Sequence, residues 1–226
     1  FYSGSGRRRS QMKRAIKSLA GEGHGQRRGL RIQTYARFGF MTEFLFKKSL
    51  VSMGIDYADI LMLGWHNNNP SNRLMDFALK MKEQGLCRFI GLSGHNRSLF
   101  PKLAKKDLFD LFHIRYNPAH RGAKKECFSL FDTKTSPGLV TYTATRWGHL
   151  LQSKRMPQGD NPLSASECYR FSLSDPRVNI CMCGPGDKKQ MQDALTALDK
   201  GLLTKDEEKR IIRIGDHVHK SAKGFL

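Results

Sequence analysis

The sequence predicts an α/β fold in which a parallel β-sheet is covered by helices. Six short apolar runs each end in a polar turn, and a stretch with helical spacing of apolar residues follows each turn. Most runs start 23 to 29 residues apart, and the last gap is 40 residues. A parallel strand needs a crossover helix before the next strand can pair beside it, and this spacing provides one. The predicted strands are residues 30–35, 59–63, 88–93, 111–117, 138–142 and 178–182.

Helices are predicted from apolar residues at helical spacing and from capping signals. Gly85 marks the end of the third helix, because glycine is the usual residue just past a helix C-terminus. Thr204 and Glu207 have the spacing of a capping box at the start of the last helix. Residues 147–161 form a long connection that could fold over a site. The predicted helices are residues 10–20, 42–53, 71–84, 96–105, 124–131, 164–173, 188–200 and 204–214.

Length and composition favour a single domain over residues 1–226. Hydrophobic residues make up 39% of the chain, which is enough for a sizeable core. No run approaches 18 apolar residues, so no membrane span is predicted. The five cysteines are odd in number and scattered, unlike a secreted disulfide framework, so a reducing cytoplasm is the expected location.

The net charge of +19 is unusual for a chain of this length. A basic surface attracts phosphate, whether in a nucleic acid, an anionic membrane or a dinucleotide. No aromatic residues interleave the arginine cluster at residues 7–9 as a base-stacking platform would need. We therefore expect a solvated basic exterior, and we do not expect nucleic acid to be a partner.

The ends of the predicted strands are the places to look for function, because parallel α/β folds carry their reactive groups just past the carboxyl ends of the strands. Four segments there form recognisable motifs, in chain order. They are Ser-Leu at 49–50 with Gly-Ile-Asp-Tyr-Ala-Asp at 54–59, Gly85 with Ile-Gly-Leu-Ser at 90–93, Tyr-Asn-Pro-x-His-Arg at 116–121, and Gly-Leu-Val-Thr-Tyr-Thr at 138–143.

The ordered set of motifs resembles the aldo/keto reductase family, of which the chain would be a divergent member. The resemblance implies a (β/α)8 TIM barrel that uses a nicotinamide cofactor to reduce carbonyl compounds. Only about six βα units are present in the sequence, so the first strand and first helix are expected to be missing. The expected fold is thus an aldo/keto reductase barrel that is incomplete at the N-terminus.

The same resemblance suggests which residues would carry catalysis. Tyr2, followed by a Ser-Gly-Ser-Gly stretch, resembles the family's general acid, whose pKa a lysine and an aspartate lower. Tyr35 stands where the family has its lysine, and Gly64 stands where it has a histidine. His66 lies two residues beyond that position and is the alternative candidate acid.

The cofactor contacts implied by the resemblance are better retained. Tyr142 would stack on the nicotinamide and Thr143 would lie beside the pyrophosphate. Ser93 would contact the carboxamide, and His113 replaces a glutamine of the family. The phosphate and adenine loop would comprise Gly184, Gly186, Lys188 and Gln190, where a helix N-terminus with nearby lysines suits a 2′-phosphate. NADP is therefore the expected cofactor, with NAD as an alternative.

A zinc site is the other possibility to weigh. Cys181 and Cys183 are two residues apart on a predicted strand, and His217 and His219 lie downstream. The spacing fits no zinc-finger pattern, and cysteine on a buried strand is usually a small core residue. No metal is therefore predicted.

Two functional hypotheses follow. The first is an NAD(P)H-dependent oxidoreductase that reduces small aldehydes or ketones. The second is a catalytically impaired protein on a reductase scaffold that binds a nucleotide or an anionic partner without turnover. The substitutions at Tyr35 and Gly64 distinguish the two, because they remove the family's lysine and histidine.

Overall fold

The computed structural model describes residues 7–20, 32–36, 42–131 and 136–221. The strands in these ranges are β1 (Gln33–Ala36), β2 (Ala58–Leu63), β3 (Cys87–Ser93), β4 (Leu111–Arg115), β5 (Gly138–Tyr142) and β6 (Ile180–Cys181). The helices are α1 (Arg7–Ala20), α2 (Thr42–Met53), α3 (Asn72–Glu83), α4 (Leu99–Ala104), α5 (Gly122–Glu126), α6 (Ala165–Leu173), α7 (Lys188–Asp199) and α8 (Lys205–Ser221).

The six strands form one sheet in chain order, β1-β2-β3-β4-β5-β6. Pairing is parallel between β1 and β2, between β2 and β3, and between β5 and β6. The predicted succession of six βα units is therefore confirmed. Within the described ranges, none of the helices is both long enough and apolar enough to cross a membrane.

Four helices differ from the prediction by more than one residue. Helix α1 begins at Arg7, three residues before its predicted start. Helix α4 is shorter than expected, and residues 97 and 98 form a turn before it instead. The predicted helix 124–131 is interrupted at Cys127, whose φ of −136° is not helical, and a 3-10 turn follows at Phe128–Leu130. Helix α8 runs past the predicted end at residue 214 to Ser221, and Gly215 within it lets the helix approach the backbone at Pro118. A Cβ atom on Gly215 would collide with the carbonyl oxygen of Pro118.

The chain divides into two compact units, which are described separately. The first comprises Phe1–Leu99 and Lys105–Leu111, and the second comprises Phe100–Ala104 and Phe112–Leu226. The expectation of one domain over residues 1–226 stays a prediction.

In the first unit, a buried carboxylate joins the start of β1 to β2. Asp59 is 2% exposed, and its Oδ2 accepts a hydrogen bond of 2.8 Å from the backbone amide of Ile32. Arg88 on β3 approaches the same carboxylate at 3.6 Å. Asp110, directly before β4, likewise bonds to a neighbouring strand, because its Oδ2 accepts a hydrogen bond of 2.8 Å from the amide of Ile90 on β3. These contacts hold the amino ends of the strands in register.

The core of the second unit is built largely from aromatic rings. Phe112 on β4 packs against Phe100 and Phe131, with ring centroids 5.1 and 5.9 Å away. Tyr116 packs in the same way between Phe128 and Phe171, at 5.0 and 5.4 Å. Each buried aromatic ring removes a large apolar area from water, so these two clusters supply much of the stability of the unit.

A buried arginine connects α6 to the start of α8. Arg170 is 6% exposed, and its guanidinium donates to the carbonyl oxygens of Gly201 and Leu202 at 2.8 and 2.9 Å. It also pairs with both carboxylate oxygens of Glu207, at 2.6 and 3.0 Å. Glu207 completes the predicted capping box with Thr204, which is confirmed. Arg170 and Thr204 together lower the pKa of Glu207 to about 2.

Replacing Arg170 should therefore destabilise the second unit. The change Arg170→Met leaves two carbonyl oxygens and a carboxylate without their donor, and we expect a loss of about 2–3 kcal/mol in the free energy of unfolding. Urea denaturation measures this loss. Lys209→Met, which removes the exposed ion pair with Asp206 on the same helix, is the control and should change the free energy by less than about 0.5 kcal/mol. Equal effects of the two changes would contradict this account.

A buried histidine on β4 makes the stability depend on pH. His113 is 2% exposed, and burial lowers its pKa from 6.5 to about 4. The unfolded chain therefore takes up a proton on this ring between about pH 6.5 and pH 4, whereas the folded chain does not. Stability should be constant above this range and fall as the pH drops through it, by at most about 1.4 kcal/mol per pH unit.

The matching variant is His113→Gln, which cannot take up the proton. Urea midpoints measured at pH 7.5 and pH 5 should differ less for this variant than for the unaltered protein. An unchanged difference would show that other groups cause the pH dependence.

Candidate functional site

The carboxyl ends of β1, β2 and β3 place three predicted positions on one face of the first unit. Tyr35 pairs with Met62 across β1 and β2, and Met62 pairs with Gly91 across β2 and β3. Side chains alternate between the two faces of a sheet, so Gly64 and Ser93, two residues further on, continue the same face. Tyr35 and Gly64, the positions where the resemblance predicts a lysine and a histidine, therefore lie on the same face as Ser93, the predicted carboxamide contact.

The ring of Tyr35 fills the space beside Gly64. A Cβ atom built on Gly64 would lie 2.9 Å from Cδ1 of the tyrosine ring, closer than a side chain tolerates. The Tyr35 side chain also forms hydrogen bonds with Ser93 and Gln33, and burial raises the pKa of its phenol above the ordinary value of 10.0. The Tyr35 ring thus fills the space that a side chain at position 64 would need.

Ser93 holds the turn that follows β2. Its Oγ accepts a hydrogen bond of 3.2 Å from the amide of Trp65, and its carbonyl oxygen accepts one of 2.8 Å from the amide of His66. The side chain of Trp65 is 78% exposed, and its φ of +61° is unusual for a residue with a large side chain. Ser93, predicted as a cofactor contact, is therefore also a structural anchor of this turn.

His66 lies in a tightly packed part of the same turn. A Cβ atom on Gly94 would collide with the carbonyl oxygen of His66, so only glycine fits at position 94. The histidine is 8% exposed, and burial lowers the pKa of its ring. The imidazole is therefore neutral at neutral pH and has no proton to donate from a cationic form. Tyr2, the other predicted catalytic residue, lies outside the described residues.

In the second unit, Asn117 fixes the predicted pyrophosphate contact. Thr143 has a φ of +57°, a conformation that is costly for a β-branched residue. Its carbonyl oxygen accepts a hydrogen bond of 2.8 Å from Nδ2 of Asn117, and its Oγ1 donates to the carbonyl oxygen of Tyr142 at 2.7 Å. Asn117 is fully buried. Its place in the Tyr-Asn-Pro motif did not by itself indicate this positioning role.

Two further predicted contacts of this unit share a face of the sheet. Phe112 packs against a ring of α4, so the next residue on β4, His113, projects from the opposite face. Thr141 on β5 forms a hydrogen bond with Cys181, whose side chain also bonds to α6. Tyr142, which follows Thr141, therefore also projects away from α6. Tyr142 is partly exposed, which a stacking role would require.

The predicted phosphate loop leads into α7, but its polar groups bond to one another. The amide of Gly186 donates to Oε1 of Gln190 at 2.9 Å. The amide of Gln190 donates to Oδ1 of Asp187, the N-cap residue, at 2.8 Å. Lys188 is the first residue of α7 and is exposed. Asp187 is not among the residues predicted for this loop, although aspartate is one of the strongest N-cap residues.

A cavity of about 860 Å³ lies beside this loop, within the second unit. Two predicted cofactor contacts, Gly184 and Gln190, belong to its wall. Its volume is within the range of small-molecule and cofactor sites. Four further residues of the wall were not predicted as contacts: Trp147, Ser166, Tyr169 and Lys200. Trp147 begins the long connection, residues 147–161, that was expected to fold over a site.

Two of the four residues considered for zinc, Cys181 and His219, have other contacts. Cys181 forms hydrogen bonds with Thr141 and Ser172, and burial raises the pKa of its thiol. The ring of His219 packs edge-on against that of His120, with centroids 5.2 Å apart. In the part of the chain that the structure describes, no three His, Cys, Asp or Glu side chains come together as a metal site would require.

Solved structures of similar fold are aldo/keto reductases. The aldo-keto reductase AKR11C1 from Bacillus halodurans, in its apo form, superimposes with a TM-score of 0.71 at 16% identity, over 96% of this chain and 78% of that one. The thermostable aldo-keto reductase Tm1743, in complex with the inhibitor epalrestat, gives 0.70 at 20% identity, over 94% and 80%. An aldo/keto reductase from Brucella melitensis gives 0.66 at 18%, over 91% and 79%. The predicted fold class, an incomplete (β/α)8 barrel, is confirmed.

Comparison of the sequence with known proteins and with models of protein families identifies the family of this chain. No curated protein matches the chain. The model of the aldo/keto reductase family, however, matches residues 8–167. This range contains most of the chain and four of the residues predicted from motifs: Ser93, His113, Tyr142 and Thr143. The chain belongs to the aldo/keto reductase family.

Proposed function

We propose that the chain is a nicotinamide dinucleotide-dependent oxidoreductase that acts on small aldehydes or ketones. The observation that carries the proposal is the cavity of the second unit, whose wall contains Gly184 and Gln190, two residues predicted as cofactor contacts. Trp147 and Tyr169 offer aromatic surface in the same wall, against which a nucleobase could pack. NADP is the proposed cofactor, because Lys188 and Lys189 stand next to the loop and the chain carries a net charge of +19.

The residues that would orient the cofactor fit this assignment. Tyr142 projects from the sheet face opposite α6 with part of its surface exposed. Thr143 is held in a strained conformation by Asn117, as is common where a backbone must present a group to a ligand. When bound, the reduced nicotinamide supplies a hydride to the carbonyl carbon of the substrate. The chain must then supply a proton to the carbonyl oxygen.

The proton source is where this chain departs from its family. The pKa of His66 is lowered by burial, so its ring is neutral at neutral pH. The pKa of Tyr35 is raised by burial, so its phenol keeps its proton and is a weak acid. General acids work best with a pKa near the working pH. A neutral imidazole and a weakly acidic phenol are both poor proton donors at neutral pH, so we propose that carbonyl reduction is slow.

A second candidate function is dinucleotide binding without turnover. The contact between Tyr35 and Gly64 favours it, because the ring fills the space that a side chain at position 64 would need. The cavity in the second unit does not depend on that contact. Binding could therefore persist where catalysis has been lost.

Separate measurements of binding and turnover distinguish the two candidates. NADPH should quench the tryptophan fluorescence, because Trp147 lies in the cavity wall. Reduction of a simple aromatic aldehyde, followed by the loss of NADPH absorbance, should be slower by roughly 10²–10⁴-fold than for a family member that keeps its lysine and histidine. A rate equal to that of such an enzyme would refute the assignment of Tyr35 and Gly64 as impairing substitutions. Absence of any fluorescence change with NADPH or NADH would refute both candidates.

The change Tyr35→Lys tests the first candidate directly. The resemblance to the family assigns the general acid to Tyr2, and a cation at position 35 would lower the pKa of that phenol and so make it a better acid near neutral pH. We expect the reduction rate to rise at least tenfold, while the affinity for NADPH, measured by fluorescence, changes little. Tyr35→Phe is the control, because it removes the hydroxyl without adding a charge and should not raise the rate. If Tyr35→Lys folds and binds NADPH but its rate does not rise, binding without turnover becomes the better account.

A further inference from the structure

Three arginines of the second unit form a cluster at the carboxyl end of β4 and in the segment that follows β5. Arg115 is the last residue of β4. The carbonyl oxygen of Thr143 accepts hydrogen bonds of 2.8 Å from Nδ2 of Asn117 and from the amide of Arg146, which joins the end of β4 to the turn after β5. Burial lowers the pKa of Arg146, and the charges of Arg155 and Arg115 lower it further. The three guanidinium groups therefore interact with one another.

Arg146 is the buried member of this arginine cluster. The residue is 3% exposed, and its Nη1 donates to the carbonyl oxygen of Val218 in the last turn of α8. Its Nε atom is buried and has no hydrogen-bond partner among the residues that the structure describes. A buried cation is unfavourable unless opposite charge and hydrogen bonds compensate for the lost water. A single carbonyl oxygen compensates for this loss only in part.

No carboxylate balances the arginine cluster within the described ranges, where none of its members forms an ion pair. Arg155 donates through Nε to Oε1 of Gln152 at 2.9 Å, which is a neutral acceptor. The pKa of His149 is lowered by burial and by the charges of Arg155 and Arg146, so this neighbouring ring is neutral at neutral pH. Like charges at close range repel, so the cluster would be stabilised by an anion.

An anion can reach the cluster at Arg115 and Arg155, which are both partly exposed. Of the guanidinium nitrogens of Arg115, only Nε is buried, so both Nη atoms are open to solvent, and none of the described residues bonds to them. Arg155 uses Nε in its bond to Gln152, which leaves its Nη atoms open as well. A guanidinium group binds carboxylate or phosphate through two parallel hydrogen bonds. Arg146, being buried, would act through its charge rather than by contact.

The position of Arg115 on the sheet indicates what kind of ligand would bring the anion. His113 projects from the face opposite α4, and Arg115, two residues further along β4, shares that face. Tyr142, which is predicted to stack on the nicotinamide, projects from the same face. The three arginines are not part of the wall of the cavity that contains Gly184 and Gln190. The cluster is therefore separate from the cavity proposed for the cofactor and lies where the resemblance places the nicotinamide.

We infer that Arg115 and Arg155, supported by the charge of Arg146, bind a carboxylate or phosphate group of the carbonyl substrate. The inference rests on the proposed function and deepens it, because it names the substrate class as aldehydes or ketones that carry an acidic group. Such a group would supply the negative charge that the cluster lacks among the described residues. A phosphate of the dinucleotide is the other source of an anion, and the experiment distinguishes the two.

The test compares two aldehydes that differ in charge and little in shape: 4-formylbenzoate, an anion, and 4-formylbenzamide, which is neutral. Isothermal titration calorimetry gives their dissociation constants without dinucleotide and with saturating NADP⁺, which allows no reduction. We expect 4-formylbenzoate to bind at least about tenfold more tightly, because hydrogen bonds between two charged groups are stronger than those to a neutral amide. Equal binding of the two aldehydes would overturn the inference.

Two variants assign the preference to the cluster. Arg115→Gln and Arg155→Gln should each weaken the binding of 4-formylbenzoate about tenfold and leave that of 4-formylbenzamide unchanged. Lys154→Gln is the matched control, because it removes an exposed cation next to Arg155 and should change the affinity for 4-formylbenzoate less than about twofold. The two arginines lie on different segments, so if the melting temperature shows that one variant is misfolded, the other decides. An unchanged affinity for 4-formylbenzoate in a folded arginine variant would contradict the inference.

The remaining outcomes separate this inference from the proposed function. Competition between NADP⁺ and 4-formylbenzoate would assign the cluster to the dinucleotide and overturn the inference. Binding of NADPH together with equal rates of reduction of the two aldehydes would also overturn it, while the proposed function stands. Arginine-dependent binding of 4-formylbenzoate by a protein that binds neither NADPH nor NADH would support the carboxylate site and refute the proposed function.

Discussion

In-register parallel pairing of β1, β2 and β3 is the constraint on which the first unit depends. Because side chains alternate along each strand, the pairing of Tyr35 with Met62 and of Met62 with Gly91 fixes which residues share a face. The strand ends then meet at Tyr35, Gly64 and Ser93. A large side chain at one strand end consequently limits what the neighbouring strand can carry.

This constraint also determines how much space position 64 has. A Cβ atom on Gly64 would lie 2.9 Å from the ring of Tyr35, so a larger residue there would require the ring to move. Hydrogen bonds from the Tyr35 side chain to Ser93 and Gln33 oppose that movement. The tyrosine at position 35 and the glycine at position 64 are therefore sterically complementary.

The second unit shows how two helix starts that face one cavity can differ in chemistry. Both begin with a side-chain cap, Ser164 for α6 and Asp187 for α7. At α7 the cap is itself a carboxylate, so the helix dipole is balanced within the protein. At α6 the cap is a neutral hydroxyl, and the carboxylate of Glu167 that completes its capping box is engaged by Arg210. The two helix starts therefore differ in the charge of the capping side chain, which is neutral at α6 and a carboxylate at α7.

The sequence by itself determined the order of the strands and helices, the family and most of the helix ends. These features depend on short-range patterns, such as the spacing of apolar runs, Gly85 after α3 and the Thr204–Glu207 capping box. Only the tertiary structure decided that the ring of Tyr35 fills the space at Gly64 and that Asn117 holds Thr143. Those contacts join residues far apart in the chain, and no local pattern records which side chains the folded backbone brings within reach of each other.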